Sequence, residues 1–219
     1  IGVRLVGSEM CIRDRDKTGT LTEGNMKIEK AVLFPGTDSA IFQEWMGNFL
    51  THTQDNNATF QAMHTYFNGM DTLSVTEQIP FSSDRKWSAM TFSGAGTFVI
   101  GAPEKLCLDK LPESVLEAQQ NGKRVLLVGI TQHAVQKEQP LPEMQLLAEI
   151  ILTDPLRANA AKTIAAFQQE GVSVKLISGD NPMTASAIAQ QAGIFQGDRW
   201  VDMRTVADSE MDAAAAQYT

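Results

Sequence analysis

The chain has 219 residues, 43% of them hydrophobic and 20% charged, and a formal net charge of −8. This is globular composition with apolar material for one or two cores, and its acidity argues against a nucleic-acid partner, which a basic excess usually serves. Nothing approaches the roughly 20 continuous apolar residues of a membrane span or the apolar core and cleavage site of a secretory signal. Cys11 and Cys107 form no metal-ligand pattern, as in a reduced, cytosolic setting.

In chain order, the first informative stretch is SEMCIRDRDKTGTLTEG, residues 8–24. Its DKTGTLT half reads as a phosphate-chemistry loop. Its EMCIRDR half does not read as the apolar strand that such a loop should follow. A composition shift at 32–38, with Pro35 and Gly36, predicts a hinge. Residues 39–50 and 58–67 have the spacing of amphipathic helices, with Met63, His64 and Phe67 forming a helix face. Residues 87–92 (WSAMTF) and 97–100 (TFVI), joined by Ser93-Gly94-Ala95-Gly96, predict a hairpin. A helix over 113–120 ends at Asn121-Gly122, and a strand over 124–130 follows. A second hinge is expected at 137–142. This middle portion is an α+β pattern with antiparallel pairing.

The back third has a different rhythm. Residues 158–170 carry Ala161, Ile164, Ala165 and Phe167 at helical spacing, and Gly171 stops the helix. The short run at 172–177 suits a buried parallel strand. Asn181 then caps a helix that has Pro182 at its first position and stops at Gly193. A further helix is expected around the alanines at 213–216. Helix, strand, loop, helix is the order of a doubly wound α/β sheet, which binds ligands at the carboxyl ends of its strands. Here that place is Ser178-Gly179-Asp180. The simplest architecture is one domain inserted into another. Trp45, Trp87 and Trp200 read as core or near-core, and His52, His64 and His133 as structural or surface residues.

DKTGTLT has the parts for phosphoryl chemistry. A carboxylate at a strand end can attack phosphorus and form an acyl phosphate. Lys17, Thr18, Thr20 and the amides around Gly19 can donate to the phosphoryl oxygens, and Mg²⁺ would shield the charge between carboxylate and phosphate. Taken singly, Asp154 reads equally as a turn residue before Pro155, Phe81 as core and Ser178 as a capping serine.

The ordered set of motifs resembles that of the P-type ATPases, ion pumps of the haloacid-dehalogenase-like superfamily. DKTGTLT is similar to their phosphorylation motif. Phe81-Ser82-Ser83-Asp84-Arg85-Lys86 resembles the segment that holds adenine, and Gly101-Ala102-Pro103-Glu104 the GAPE segment. Asp154-Pro155-Leu156-Arg157 resembles DPxR, and Ser178-Gly179-Asp180-Asn181 resembles TGDN. The resemblance covers residue 16 to the end. It implies an α/β fold: a Rossmann-type, haloacid-dehalogenase-like phosphorylation domain (16–34 and 148–219) with an inserted α+β nucleotide-binding domain (35–147). It implies that Asp16 takes the γ-phosphoryl of ATP. Thr18 would give its carbonyl to Mg²⁺ and its hydroxyl to the phosphate. Ser178, Gly179 and Asp180 would contact the transferring group, and Asp154 and Arg157 would hold nucleotide. Phe81 would stack on adenine, Lys86 and Arg124 would approach the nucleotide, and Glu77 and Gly101 belong to the same set. Ile100 is a departure, since the family often has Lys before GAPE. Several segments look like a bacterial cation-pump branch, whose members act at the cytoplasmic face of a membrane on an inorganic cation.

Two alternatives stay open: a soluble phosphatase of the same superfamily, and a nucleotide-binding module. The phosphatases usually carry a second Asp two residues after the nucleophile as general acid and base. Thr18 stands there instead, which favours the pump. The family's GDGxND motif, the lysine before it, the actuator domain and the membrane helices are absent. The phosphorylation domain is therefore expected to be incomplete, and the chain alone inactive. Residues 4–15, RLVGSEMCIRDR, resemble the translation of a transposase-type sequencing adapter. On that reading 1–15 are not native, and the sheet behind Asp16 should have a gap.

Overall fold

The computed structural model describes residues 12–16, 21–107, 110–202 and 205–218. The adapter-like residues up to Cys11 lie outside this set. The strands are β1 (Ile12–Asp16), β2 (Lys27–Leu33), β3 (Val75–Ile79), β4 (Trp87–Phe92), β5 (Gly96–Gly101), β6 (Arg124–Thr131), β7 (Gln145–Thr153) and β8 (Ser173–Ile177). The helices are α1 (Ser39–His52), α2 (Ala58–Tyr66), α3 (Pro103–Leu106), α4 (Glu113–Gln120), α5 (Ala160–Gln169), α6 (Pro182–Gln191) and α7 (Met211–Gln217). The chain divides into two compact units: residues 1–25, 119–124 and 154–219, and residues 26–118 and 125–153.

The second unit is built on a six-stranded sheet in the order β2-β7-β6-β5-β4-β3. The pairs β2/β7, β3/β4, β4/β5 and β5/β6 are antiparallel. The expected hairpin is β4–β5, and Gly94 takes its turn at φ +73°, a conformation that glycine adopts without a Cβ penalty. On one sheet face, Phe42, Met46 and Phe49 of α1 and Phe60 and Met63 of α2 pack against Met90, Phe98 and Ile100. The rings of Phe49 and Phe98 lie 5.7 Å apart. On the other face, Trp87, Ala89, Val99 and Leu127 meet Leu106 of α3 and Val115 and Ala118 of α4. Both faces are covered, so β4 and β5 read as apolar runs without strict alternation. Each large side chain buried this way contributes about 2–3 kcal/mol of hydrophobic stabilisation. Capping sets the helix starts. Asp38 accepts from the amides of Ala40 and Ile41 (2.8 and 3.0 Å), and Asn57 from those of Thr59 and Phe60 (3.0 and 3.2 Å).

β2 and β7 have no counterpart among the expected elements. They form one antiparallel ladder that runs from Lys27↔Thr153 to Leu33↔Ala148. The whole of both expected hinges, at 32–38 and at 137–142, lies inside this unit.

In the first unit β1 and β8 are parallel, with Asp16 opposite Ile177. The strand at 12–16 stands where a gap was expected. A ladder is made by backbone groups, which Arg13, Asp14 and Arg15 carry like any other residue. Leu21, Ile164 of α5, Val174 of β8, Ala189 of α6 and Ile194 form its core. α6 begins as expected: the Asn181 carboxamide oxygen accepts from the Met183 amide at 2.9 Å, with Pro182 at the first position. Two expectations are corrected. β8 is not a buried strand, because in the described residues its sheet has only two strands. Val174 is buried, but Ile177 is 59% exposed. Trp200 is 43% exposed and outside the core, whereas Trp87 is 4% exposed.

Candidate active site

The parallel register sets the geometry of the first unit. Asp16 is the last residue of β1 and pairs with Ile177, the last residue of β8. The chain leaves β8 directly into Ser178-Gly179-Asp180, so the carboxyl ends of both strands lie side by side. Lys17, Thr18 and Thr20 lie outside the described residues. The Ser178 Oγ accepts from the Asp180 amide at 3.1 Å, which folds this segment into a tight turn before α6. Among the described residues, a Cβ added at Gly179 would meet nothing within 4 Å. Asp180 and Arg124 form a part-buried ion pair through Arg124 Nη2 and Asp180 Oδ1.

Asp154 lies at a second junction of this unit. Its Oδ2 accepts from the hydroxyl of Thr22 at 2.6 Å and its Oδ1 from the amide of Gly24 at 3.0 Å. Thr22 is fully buried and forms an antiparallel bridge with Leu156. Arg157 donates its amide to the Leu21 carbonyl at 2.9 Å, and its side chain is exposed. Nothing in the sequence pairs Thr22 with Asp154, since they are 132 residues apart.

In the second unit, Phe81 and Lys86 bracket the turn that leads into β4. Phe81 is 39% exposed, and its amide donates to Asp55 Oδ2 at 3.0 Å. Lys86 has φ +62°, an unusual value for a residue with a side chain. Its amide donates to the Ser82 carbonyl (2.7 Å), and its own carbonyl accepts from the Ala102 amide (2.9 Å). Its ammonium lies 3.0 Å from Glu104 Oε1. The Phe81–Lys86 segment is thereby tied to Gly101-Ala102-Pro103-Glu104. Gly101 is required by close approach: an added Cβ would lie 2.5 Å from Trp87 Cβ and 2.8 Å from the Lys86 carbonyl. Arg85 donates to the Pro80 carbonyl at 2.6 Å, and its guanidinium lies 5.4 Å from the Trp87 ring centre. Ile100 is 2% exposed in the apolar core. Glu77 is exposed and pairs with Thr91, so it lies on the sheet face opposite Ile100. Asp55 is an addition that the motifs do not contain, and the pairing of Glu104 with Lys86 is one that they do not assign.

Among the described residues no group of three His, Cys, Asp or Glu side chains gathers as a metal site. Asp16 and Thr18 would offer a carboxylate and a carbonyl, the oxygen donors that Mg²⁺ takes.

Known proteins agree with this architecture. A profile of the haloacid dehalogenase-like hydrolases matches residues 16–216. The chain belongs to the haloacid dehalogenase-like hydrolase family. It is 38% identical over 206 residues to "Probable cation-transporting ATPase exp7" of Streptococcus pneumoniae serotype 4, covering 92% of this chain and 26% of that protein. It is 34% identical over 186 residues to "Calcium-transporting ATPase CtpE" of Mycobacterium bovis, covering 82% of this chain and 23% of that protein. The chain thus spans about a quarter of the length of these relatives. A zinc-transporting PIB-type ATPase crystallised in its E2.Pi state shares the fold, with a TM-score of 0.51 at 22% identity over 84% of this chain and 28% of that one. Among the described residues, no helix is long and apolar enough to cross a membrane.

Proposed function

We propose that this chain is the catalytic cytosolic portion of an ATP-driven P-type cation pump, and that Asp16 becomes an aspartyl phosphate. The observation that carries this reading is the β1–β8 register, with Asp16 opposite Ile177 and Ser178-Gly179-Asp180 next in the chain. A carboxylate oxygen of Asp16 attacks the γ-phosphorus of ATP. The bond to the β,γ-bridging oxygen breaks, and ADP leaves with that electron pair. Lys17, Thr18, Thr20, Ser178 and the amides at Gly179 and Asp180 donate to the phosphoryl oxygens. Asp16 and the Thr18 carbonyl would hold Mg²⁺, which would supply charge shielding. Phe81 stacks on the base, Lys86 and Arg124 approach the nucleotide, and Arg157 serves it from the DPLR segment. Thr18 gives the phosphoenzyme no general acid for quick hydrolysis, so it lasts long enough to drive transport of an inorganic cation at the cytoplasmic face of a membrane.

The test is labelling with γ-labelled ATP. The full-length protein should take acid-stable, hydroxylamine-sensitive label, and Asp16→Asn should abolish it. The present chain alone should take none, because it lacks GDGxND. Stable label on the present chain would refute the expectation that it is inactive. Rapid phosphate-ester hydrolysis by the chain, without a trapped intermediate, would favour the phosphatase alternative.

A further inference from the structure

We infer that Asp55 is a positioning residue for the aromatic platform of the nucleotide site, an inference that rests on the reading that Phe81 stacks on the base of ATP. The β3 ladder ends with Ile79 opposite Ala89. Pro80 comes next and has no amide hydrogen to donate. The Phe81 amide is thus the first main-chain donor past the sheet. Its acceptor is a side chain 26 residues away, Asp55 Oδ2 at 3.0 Å. At 39% exposure the Phe81 ring lacks the packing that fixes a core aromatic. The bond to Asp55 is then what fixes the backbone from which the ring projects. The rest of the turn is held separately: Arg85 donates to the Pro80 carbonyl at 2.6 Å, and the Lys86 amide donates to the Ser82 carbonyl at 2.7 Å.

Asp55 is itself well anchored, between α1 and α2. The Thr53 amide closes α1 on the Phe49 carbonyl at 3.0 Å, the Asp55 amide donates to the Thr53 hydroxyl at 3.3 Å, and Asn57 caps α2. Both helices are seated in the core, where the buried rings of Phe49 and Phe60 lie 6.3 Å apart. An ionised carboxylate is a stronger acceptor for an amide than a neutral oxygen, so Asp55 ties the Phe81 turn to a rigid helical layer. Its charge favours a main-chain tether over a phosphate contact, because a carboxylate repels phosphates. Without the tether the turn takes other arrangements, and ATP affinity falls by the fraction that stays competent. Charge alone predicts the opposite sign: removing a negative group near an anion site strengthens binding.

The experiment titrates the full 219-residue chain calorimetrically with ATP and with inorganic tripolyphosphate, which has the phosphates and no base. The parent is compared with Asp55→Ala, Asp55→Asn, Phe81→Ala and the double variant of Asp55→Ala with Phe81→Ala. Asp55→Ala should weaken ATP binding by about 5- to 20-fold, and by no more than Phe81→Ala does. Its tripolyphosphate affinity should stay within about twofold of the parent, a split that a general folding defect would not give. Asp55→Asn, which keeps an oxygen acceptor, should recover most of the ATP affinity. The double variant should match Phe81→Ala within about twofold, because Asp55 acts through the ring. Parental or tighter ATP binding by Asp55→Ala would overturn the inference. So would an equal loss for both ligands, or losses that multiply in the double variant. Unchanged ATP affinity in Phe81→Ala beside a loss in Asp55→Ala would overturn the stacking reading and make Asp55 a contact of its own, a separate and recognisable failure.

Discussion

Replacing Gly101 with alanine should unfold the second unit at lower denaturant. The added methyl carbon would lie 2.5 Å from Trp87 Cβ, 2.8 Å from Leu106 Cδ1 and 2.8 Å from the Lys86 carbonyl oxygen. Only the Leu106 tip can rotate away. Trp87 Cβ is fixed by the β4 backbone, which pairs with Gly101 in the β4–β5 ladder. The Lys86 carbonyl is held by the Ala102 amide at 2.9 Å. The methyl must therefore widen this rung or displace the turn before it. Overpacking of this kind costs about 1–3 kcal/mol. With a urea slope of about 2 kcal/mol/M, the midpoint should fall by roughly 0.5–1.5 M. The displacement passes through Lys86, so ATP affinity should fall as well. Urea unfolding followed by tryptophan fluorescence reads the first effect, and calorimetric titration with ATP the second. A variant with the parental midpoint and parental ATP affinity would refute the claim that this rung has no room for a side chain.

Three other predictions concern the same chain. Lys86→Gly should be more stable than Lys86→Ala by about 1 kcal/mol in thermal unfolding: both lose the ammonium, and only glycine is relaxed in the left-handed region. An alanine variant as stable as the glycine one would show that the φ of +62° carries no strain. Phe81→Ala should leave stability nearly unchanged, because Phe81 is 39% exposed, and should weaken ATP binding. A lost base–aromatic stack is worth about 1–3 kcal/mol, or roughly 5- to 150-fold in affinity. Unchanged affinity would remove Phe81 from the nucleotide site. Source DNA amplified across codons 4–15 should encode something other than RLVGSEMCIRDR, and a genomic match would end the adapter reading.

What could be read in the sequence was local. Asp38, Asn57 and Asn181 mark helix starts because capping is decided within three residues. The β4–β5 hairpin was legible because its turn glycines sit between two apolar runs. β2 and β7 were not, since β2 alternates charges at its exposed edge and β7 carries a buried Glu149 within its apolar run. That glutamate accepts from the Ser114 hydroxyl at 2.7 Å, a partner 35 residues away. The site divides the same way. Motif order pointed to Asp16, Phe81, Lys86 and Gly101. The grip of Asp154 on Thr22, the bond from Phe81 to Asp55 and the Arg124–Asp180 pair depend on long-range folding, for which spacing gives no signal. Ile177 and Trp200 were misjudged because hydrophobicity predicts burial only where other elements are present to cover it.

The Lys27↔Thr153 rung bears on how the chain assembles. Before β2 and β7 pair, Thr22 must find Asp154 across 132 residues of chain. Once they pair, the path from one to the other shortens to a few residues on either side of a single rung. Closure entropy grows as about (3/2)RT ln n, so replacing a path of over a hundred residues by one of about five saves roughly 2–3 kcal/mol. The inserted sheet is in this sense a splint: wherever it forms ahead of its host, it turns the Thr22–Asp154 contact, 132 residues apart in the chain, into a local one.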